Sequence, residues 1–553
     1  MRREEKAKKD KMSNEVERKG SVLSRSIQSA YLNIFATVVA RAFSFIFNAI
    51  IFRQTPPEAL GIAVRCTLLA DTVYFVSREM FRKTCLTRPE KDRDWRGTIN
   101  LVWLGVPVGT GASACLAYVW VAWLDPVPEH LIDQYCKAVI MVCVACVMLL
   151  TTEVFYIVGQ AYMHVKFRAF IDFYAYFQLQ ILTIVLISLD SRYVTLYNGV
   201  AALANALIVI AVHLVYFYGV VHRDRKLDKE EDIPFESMAE FLPDFHPTTF
   251  YLDNDRFRLA KSFFKQGFLK QMLTEGEKYM ITWFSLMSLS QQGVYDVICN
   301  LGSLPARLLF SKLEESSHLY FSQTVKRGDR RDRINAEAEP SKHLNIVVRG
   351  LIIFGLVVIT FGMSYSQLLL FLYGGDKLSS QLSVSLLRAH CVYVLFCAVN
   401  GVTESYAFNA MTEEQVSWYN RLMMAMTGVF LMCVWVLARI LGPVGFTLAN
   451  ICNLTMRIGY NFWVIHKRHR LAEVKPLKGI LPKTPLLIFL VFSGIVCFFS
   501  EFYVYQSGSL IGTVLHLGIG GVMFITSVGM ILLTEDKFRD KVVAFATKKP
   551  KAE

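Results

Sequence analysis

Along this 553-residue chain, apolar runs of about 20 residues follow one another almost without pause. About 20 residues is the length a helix needs to cross the hydrocarbon core of a bilayer. The pattern predicts fourteen spans, near 26–52, 59–81, 98–124, 136–160, 169–189, 195–220, 262–289, 293–322, 345–365, 382–410, 418–440, 442–465, 485–503 and 509–533. Six precede the longest polar stretch, 222–257, and eight follow it. The expected class is an all-α polytopic membrane protein with fourteen transmembrane helices. Thr152-Glu153-Val154-Phe155 in the fourth span is echoed by Thr403-Glu404-Ser405-Tyr406 in the tenth, and the second and eighth spans each begin near a glycine, Gly61 and Gly293. These echoes suggest a 6 + 6 repeat, two six-helix lobes around a central cavity, with two further C-terminal helices. The expected organisation is a tail at 1–25, an N-lobe at 26–221, an inter-lobe loop at 222–257, a C-lobe at 258–466, a basic loop at 467–483, two helices within 484–533 and a tail at 534–553.

Composition narrows the class. Residues of the AVILMFWYC set make up 54% of the chain and charged ones only 19%, which excludes a soluble multidomain enzyme and a disordered chain. The net charge of +13 is unevenly placed. Lys and Arg crowd the connections at 82–97, 222–257, 323–344 and 466–484 and are scarce in the alternate ones. The positive-inside rule then puts both termini and all the long connections in the cytoplasm. The basic surplus reads as a topology code rather than as a nucleic-acid surface. The mixed-charge start MRREEKAKKDKMSNEVERKG lacks an apolar core, so it is expected to be a cytosolic tail, with the first span as an uncleaved insertion signal.

Enzyme motifs are lacking. Most of the twelve cysteines fall inside apolar runs, and Cys143-Val-Ala-Cys146 has no second pair or histidine beside it, so neither zinc nor a disulfide framework is expected. No GxxxxGK[ST] phosphate loop occurs, and nothing points to a metal or another cofactor.

Charges inside the spans are more informative, because each is costly in lipid and faces a cavity or a partner. In the eighth span Asp296, Asn300, Ser303, Arg307, Ser311 and Glu314 fall within an arc of about 80°. Thr67, Asp71, Arg78 and Arg82 share a face of the second span, and Gln266, Lys270, Thr274 and Glu277 a face of the seventh. The tenth carries Asn400 and Glu404, with Arg388 nearer its start; Arg41, Glu153, Asp172 and Arg457 stand singly. Two readings compete. Opposite charges could pair between helices and hold the bundle in register. Alternatively, arginines and lysines line a cavity and bind an anion, for which the planar guanidinium fork suits phosphate. A sodium or proton site would need carboxylates without adjacent cations, and Glu153 and Glu404 are the candidates.

The stretch Phe268–Gly328 carries TEGE at Thr274–Glu277, QGVYD at Gln292–Asp296, NLGS at Asn300–Ser303, AR at Ala306–Arg307 and EES at Glu315–Ser317. With FNAIIFR at Phe47–Arg53, VRCTLLADTVYFVSREMFRKTC at Val64–Cys85 and NGVTE at Asn400–Glu404, it resembles the eukaryotic Rft-type oligosaccharide-translocation family of the endoplasmic reticulum. That family belongs to the multidrug, oligosaccharidyl-lipid and polysaccharide exporter superfamily. Pro305 within the motif is a departure and is expected to kink the eighth span.

The resemblance implies a function in assembling dolichol-linked oligosaccharide for N-glycosylation, moving Man5GlcNAc2-diphosphate-dolichol from the cytosolic to the luminal leaflet. The ligand is then a dolichyl-diphosphate oligosaccharide within membrane lipid; no nucleic acid, no cofactor and no named protein partner are implied. Cations offered to the diphosphate are Arg41, Arg53, Arg65, Arg78, Lys270, Arg307, Arg388 and Arg457. Polar or gating groups of the cavity are Asp71, Glu153, Glu275, Glu277, Asp296, Asn300, Glu314, Asn400 and Glu404. Alternating access without covalent chemistry is the expected mechanism. The alternatives are an accessory protein that binds or chaperones the same glycolipid, a membrane glycosyltransferase, and a general exporter.

Overall fold

The computed structural model describes residues 43–86, 95–124, 127–162, 164–222, 233–244, 254–325, 338–470, 475–505 and 509–535. Among the described residues there is no strand, and a helix stands at each predicted span. They are α1 (43–54), α2 (Pro57–Leu86), α3 (Trp95–Ala122), α4 (Glu129–Ala161), α5 (Val165–Leu189), α6 (Val194–Val221) and α7 (Asn254–Trp283). The rest are α8 (289–324), α9 (Ala338–Gly374), α10 (Gln381–Ala410), α11 (Glu413–Leu441), α12 (Pro443–Arg468), α13 (Thr484–Tyr503) and α14 (Leu510–Thr534).

Ten of these, α2–α6, α9–α11, α13 and α14, are long and apolar enough to cross a membrane. Of the other four, α1 is described over a short stretch only, and α7, α8 and α12 are interrupted by polar side chains. These three polar helices face one another or a common neighbour, so their polar groups need not meet lipid. α8 and α12 both pack on α10, and α7 packs on α2 and α11.

The chain starts and stops its helices where local chemistry dictates. Pro57 and Pro443 occupy first-turn positions, where a missing N–H costs nothing. Ser288 and Thr412 open α8 and α11 with reciprocal capping boxes to Gln291 and Gln415. Gly442 joins α11 to α12 at a φ of 59°, a conformation that a Cβ would strain.

α2 and α8 cross with their backbones in contact. A Cβ added at Gly61 would meet the Leu289 carbonyl, and one at Gly293 would meet the Pro57 carbonyl. Each helix then contains a wide π-type turn at a corresponding place, Phe75–Glu79 in α2 and Ala306–Phe310 in α8, the latter directly after Pro305. A wide turn rotates everything beyond it relative to ideal helical phase. The single polar arc expected from Asp296 to Glu314 is therefore broken: Asp296 and Asn300 lie before the turn, Glu314 after it.

Elsewhere, α4 packs on α2, α3 and α6, and α10 packs on α8, α9 and α12. Part of the predicted inter-lobe loop is folded. Ile233, Phe235 and Phe241 are buried against Phe81, Ile99, Val102, Phe155 and Phe217, and Trp103 Nε1 donates to the Phe241 carbonyl at 2.8 Å. α13 and α14 attach to α9 and α10 through Arg388, whose Nη2 reaches both oxygens of Glu501 at 2.7 and 2.8 Å. Tyr365 adds a hydrogen bond to the His516 carbonyl at 2.6 Å. Glu535, just after α14, pairs with Arg349 of α9 at 2.7 Å.

Breaking the Arg388–Glu501 pair should leave a carboxylate or guanidinium unpaired between helices. Arg388→Met and Glu501→Leu should each lower the unfolding midpoint of the detergent-solubilised protein, while the double variant loses less than their sum. A double-mutant cycle should give a coupling of about 1–3 kcal/mol. Additive losses would show that the pair does not attach α13 to α10.

Candidate functional site

Polar side chains gather in distinct groups between the helices. The first surrounds a cavity of about 320 Å³ lined by α7, α8, α10 and α12, with Val64 of α2 at its edge. Glu277 accepts hydrogen bonds from the Tyr295 hydroxyl and from Asn450 Nδ2, the latter at 2.8 Å. Asp296 accepts from Asn300 Nδ2 at 2.8 Å. Lys278, the cation on this wall, is held by Glu275 at 2.8 Å. Asp71 of α2 lies within electrostatic reach of Glu275 and Lys278. Thr447 and His390 are among the residues that line the cavity, and Thr447 Oγ1 and His390 Nδ1 are buried without a hydrogen-bond partner.

The second group lies toward the basic connections. Arg82 of α2 grips Glu153 of α4 with two nitrogens, Nη2 at 2.7 Å from Oε1, and stacks 3.5 Å over the Tyr156 ring. Arg78 stands 3.9 Å from the same carboxylate, over Tyr74, with a buried Nε that has no acceptor. On the other side, Arg457 Nη2 reaches both oxygens of Glu404 at 2.6 and 2.7 Å, and Asn400 Nδ2 and the Tyr419 hydroxyl donate to the same carboxylate. Glu314 lies against Gly401, within the electrostatic reach of Glu404, Arg457 and His318.

Beside the cavity, the two helices are tied together at the α2–α8 crossing. Arg65, 1% exposed, donates from Nε to Gln292 Oε1 at 3.2 Å, and its carbonyl accepts from Trp120 Nε1 at 3.0 Å. Nearby, Arg53 Nη2 donates to the Leu372 carbonyl at 2.5 Å, and Lys377 Nζ donates to the Arg53 carbonyl at 3.1 Å.

The residues expected at the site are thus brought into separate sets. Glu277, Asp296 and Asn300 share one region; Glu314, Asn400, Glu404 and Arg457 share another; Arg78 and Glu153 share a third. The expected cations do not converge on one point. Arg53 holds a carbonyl, Arg65 a glutamine, and Arg388 and Arg457 a carboxylate each. Arg41 lies outside the described residues, as do the side chains of Lys270 and Arg307.

Glu153 and Glu404 are not the cation-free carboxylates expected of an ion site. Each is bonded by an arginine at both oxygens, Glu153 by Arg82 Nε and Nη2 and Glu404 by Arg457 Nη2. Sequence reasoning passed over Glu501, Lys278, His390, Thr447 and Asn450. Asn450 had a signal, seven residues before Arg457 and so on nearly the same helical face. Thr447 and His390 had none, since each is an isolated residue in an apolar run.

Residues 25–544 match the family profile described as "Rft protein". Among curated proteins, the Man(5)GlcNAc(2)-PP-dolichol translocation protein RFT1 of Xenopus tropicalis is 34% identical over 93% of this chain and 96% of its own length. The mouse protein of the same description is 33% identical over the same shares, and that of Saccharomyces cerevisiae 25% identical over 81% of this chain and 84% of its own. The fold is similar to a structure described as "Lipid II flippase MurJ, inward closed conformation", at a TM-score of 0.57 and 11% identity over 92% of this chain and all of that one. It is also similar to an inward-facing MATE-family transporter of the MOP superfamily, at a TM-score of 0.52 and 11% identity over 77% and 95%. A polytopic helical bundle with polar side chains buried between its helices, matched to one family profile over nearly its whole length, has one assignment: the chain belongs to the Rft protein family.

Proposed function

We propose that this chain moves Man5GlcNAc2-diphosphate-dolichol from the cytosolic to the luminal leaflet of the endoplasmic reticulum membrane by alternating access, without covalent chemistry. In this reading α1–α6 and α7–α12 are two lobes in fourteen-span topology, α13 and α14 ride on the second lobe, and both termini are cytosolic. The observation that carries it is the arrangement along α2 and α8. These helices meet backbone to backbone at Gly61 and Gly293, at the end away from the basic connections. Arg78 within the wide turn of α2, Arg82 beyond it and Glu314 beyond the wide turn of α8 lie toward the end that carries those connections. A bundle closed at one end and lined with ionic groups toward the other suits a headgroup entering from the cytosolic side, while the dolichol tail stays in lipid. The descriptions of the relatives supply the substrate.

Within this reading Arg78 is the anchor for the diphosphate. Arg82 and Arg457 are committed to carboxylates, whereas Arg78 is 3.9 Å from its neighbour and has donors to spare. A guanidinium bonded to an anion contributes about 1.5–3 kcal/mol, or roughly 10–100-fold.

Three outcomes follow. Vesicles holding the purified protein should equilibrate the glycolipid between leaflets faster than protein-free vesicles; equal rates would leave the protein without translocation activity of its own. Arg78→Gln should slow that exchange about tenfold or more, with Arg78→Lys intermediate; an unchanged rate removes Arg78 from the diphosphate site. Finally, Lys377 Nζ lies 3.5 Å from the Thr55 carbonyl across the closed end. A short reducible crosslink between Thr55→Cys and Lys377→Cys should stop exchange until it is cleaved. Exchange that continues through the crosslink would argue against opening at this end.

A further inference from the structure

We infer that the cavity between α7, α8, α10 and α12 is a carbohydrate subsite that takes one neutral hexopyranose ring of the headgroup's glycan; this rests on the substrate proposed above. Its chemistry is that of a polyol site and not of an anion site. Glu277 and Asp296 put two carboxylates on the wall, and the nearby Lys278 is already held by Glu275. A diphosphate would be repelled here, whereas sugar hydroxyls are donors that carboxylate lone pairs accept. Glu277 uses its oxygens on the neutral donors Tyr295 and Asn450, so it stays fixed in position with acceptor capacity left over.

Two further groups point to a polar ligand. Thr447 and His390, two residues of the lining, are 1% and 5% exposed, yet Thr447 Oγ1 and His390 Nδ1 have no partner. Buried polar groups of this kind cost free energy unless something hydrogen-bonds them. Tyr393 adds an aromatic ring to the lining. A bound metal ion fits less well, because among the described residues no three metal-ligating side chains are grouped to hold one.

Size and position agree. A volume of about 320 Å³ is at the small end of ligand sites, about 300–1,000 Å³, and admits a single ring rather than a whole glycan. Val64 at its edge and Arg78 are 14 residues apart on α2, or about 20 Å along the axis at 1.5 Å per residue. A diphosphate held near Arg78 would therefore leave the far rings of an extended glycan, not the lipid-proximal ones, to reach this cavity.

The test uses the full-length protein in nanodiscs and the free oligosaccharide Man5GlcNAc2, without lipid or diphosphate, read by saturation-transfer NMR. The glycan should bind saturably. Thr447→Val and His390→Phe, which remove hydrogen-bonding atoms with little change in volume, should each weaken binding about fivefold or more. Arg78→Gln should not weaken it, and inorganic pyrophosphate should not compete. No saturable binding, competition by pyrophosphate, displacement by sodium or mild acid, or binding unaffected by both cavity variants would each overturn the subsite. Leaflet exchange is measured separately. Glycan binding without exchange would sink the transport reading and keep the subsite. Exchange of sugar-free dolichyl diphosphate as fast as the glycolipid, with no glycan binding, would do the reverse.

Discussion

An ionised side chain between membrane helices must have a partner, and that constraint organises this protein. Four carboxylates on or beside the helices, Glu153, Glu404, Glu501 and Glu535, are each met by an arginine from a different helix. In each pair the arginine reaches both carboxylate oxygens, Arg82 through Nε and Nη2 and the other three through Nη2, so the pair restrains the separation of its helices as well as neutralising charge. Arg82–Glu153 joins α2 to α4, Arg457–Glu404 joins α12 to α10, and Arg388–Glu501 clips α13 to α10. Because these cations are engaged, the groups left to recognise a ligand among the described residues are few: Arg78 on one wall, and the polar groups of the cavity near the closed end.

How much of this was legible in the sequence depended on how far apart the interacting residues lie along the chain. Helix positions follow from local apolar length, so every predicted span contains a helix. The same local logic fails for partners. Glu501 sits in an apolar run 113 residues from Arg388, and nothing around either one announces the other. Helical phase was legible only up to the wide turns: Pro305 signalled the break in α8, but the break at Phe75–Glu79 in α2 follows no proline. The folded segment Ile233–Phe241 was hidden for a different reason. Its apolar residues sit within a charged stretch, and only the aromatic floor formed by Phe81, Phe155 and Phe217 makes them a core.

The short echo between the fourth and tenth spans acquires physical content from these contacts. In both, the glutamate is bonded by an arginine, and the aromatic residue two places on is buried: Phe155 against Phe217 and Phe241, Tyr406 against Phe321 and bonded to His469 at 2.7 Å. The source of the arginine differs. Glu153 is served by α2, whereas Glu404 is served by α12, and α8, the counterpart of α2 at the crossing, brings Glu314 instead.

That exchange gives the two walls opposite character. Counting from the crossing glycines, Gly61 and Gly293, the position 21 residues on is Arg82 in α2 and Glu314 in α8. One wall therefore gathers Arg78 and Arg82 around a single carboxylate, and the other gathers Glu314 and Glu404 around Arg457. A ligand with the same chemistry at both ends would be held by one wall and repelled by the other. A ligand that is anionic at one end and rich in neutral hydroxyls at the other can satisfy both, with its anion against α2 and its hydroxyls against α8 and α10. The glycolipid named by the relatives has that polarity, and opposite charge at matching places on α2 and α8 is a direct way to fix which end lies where.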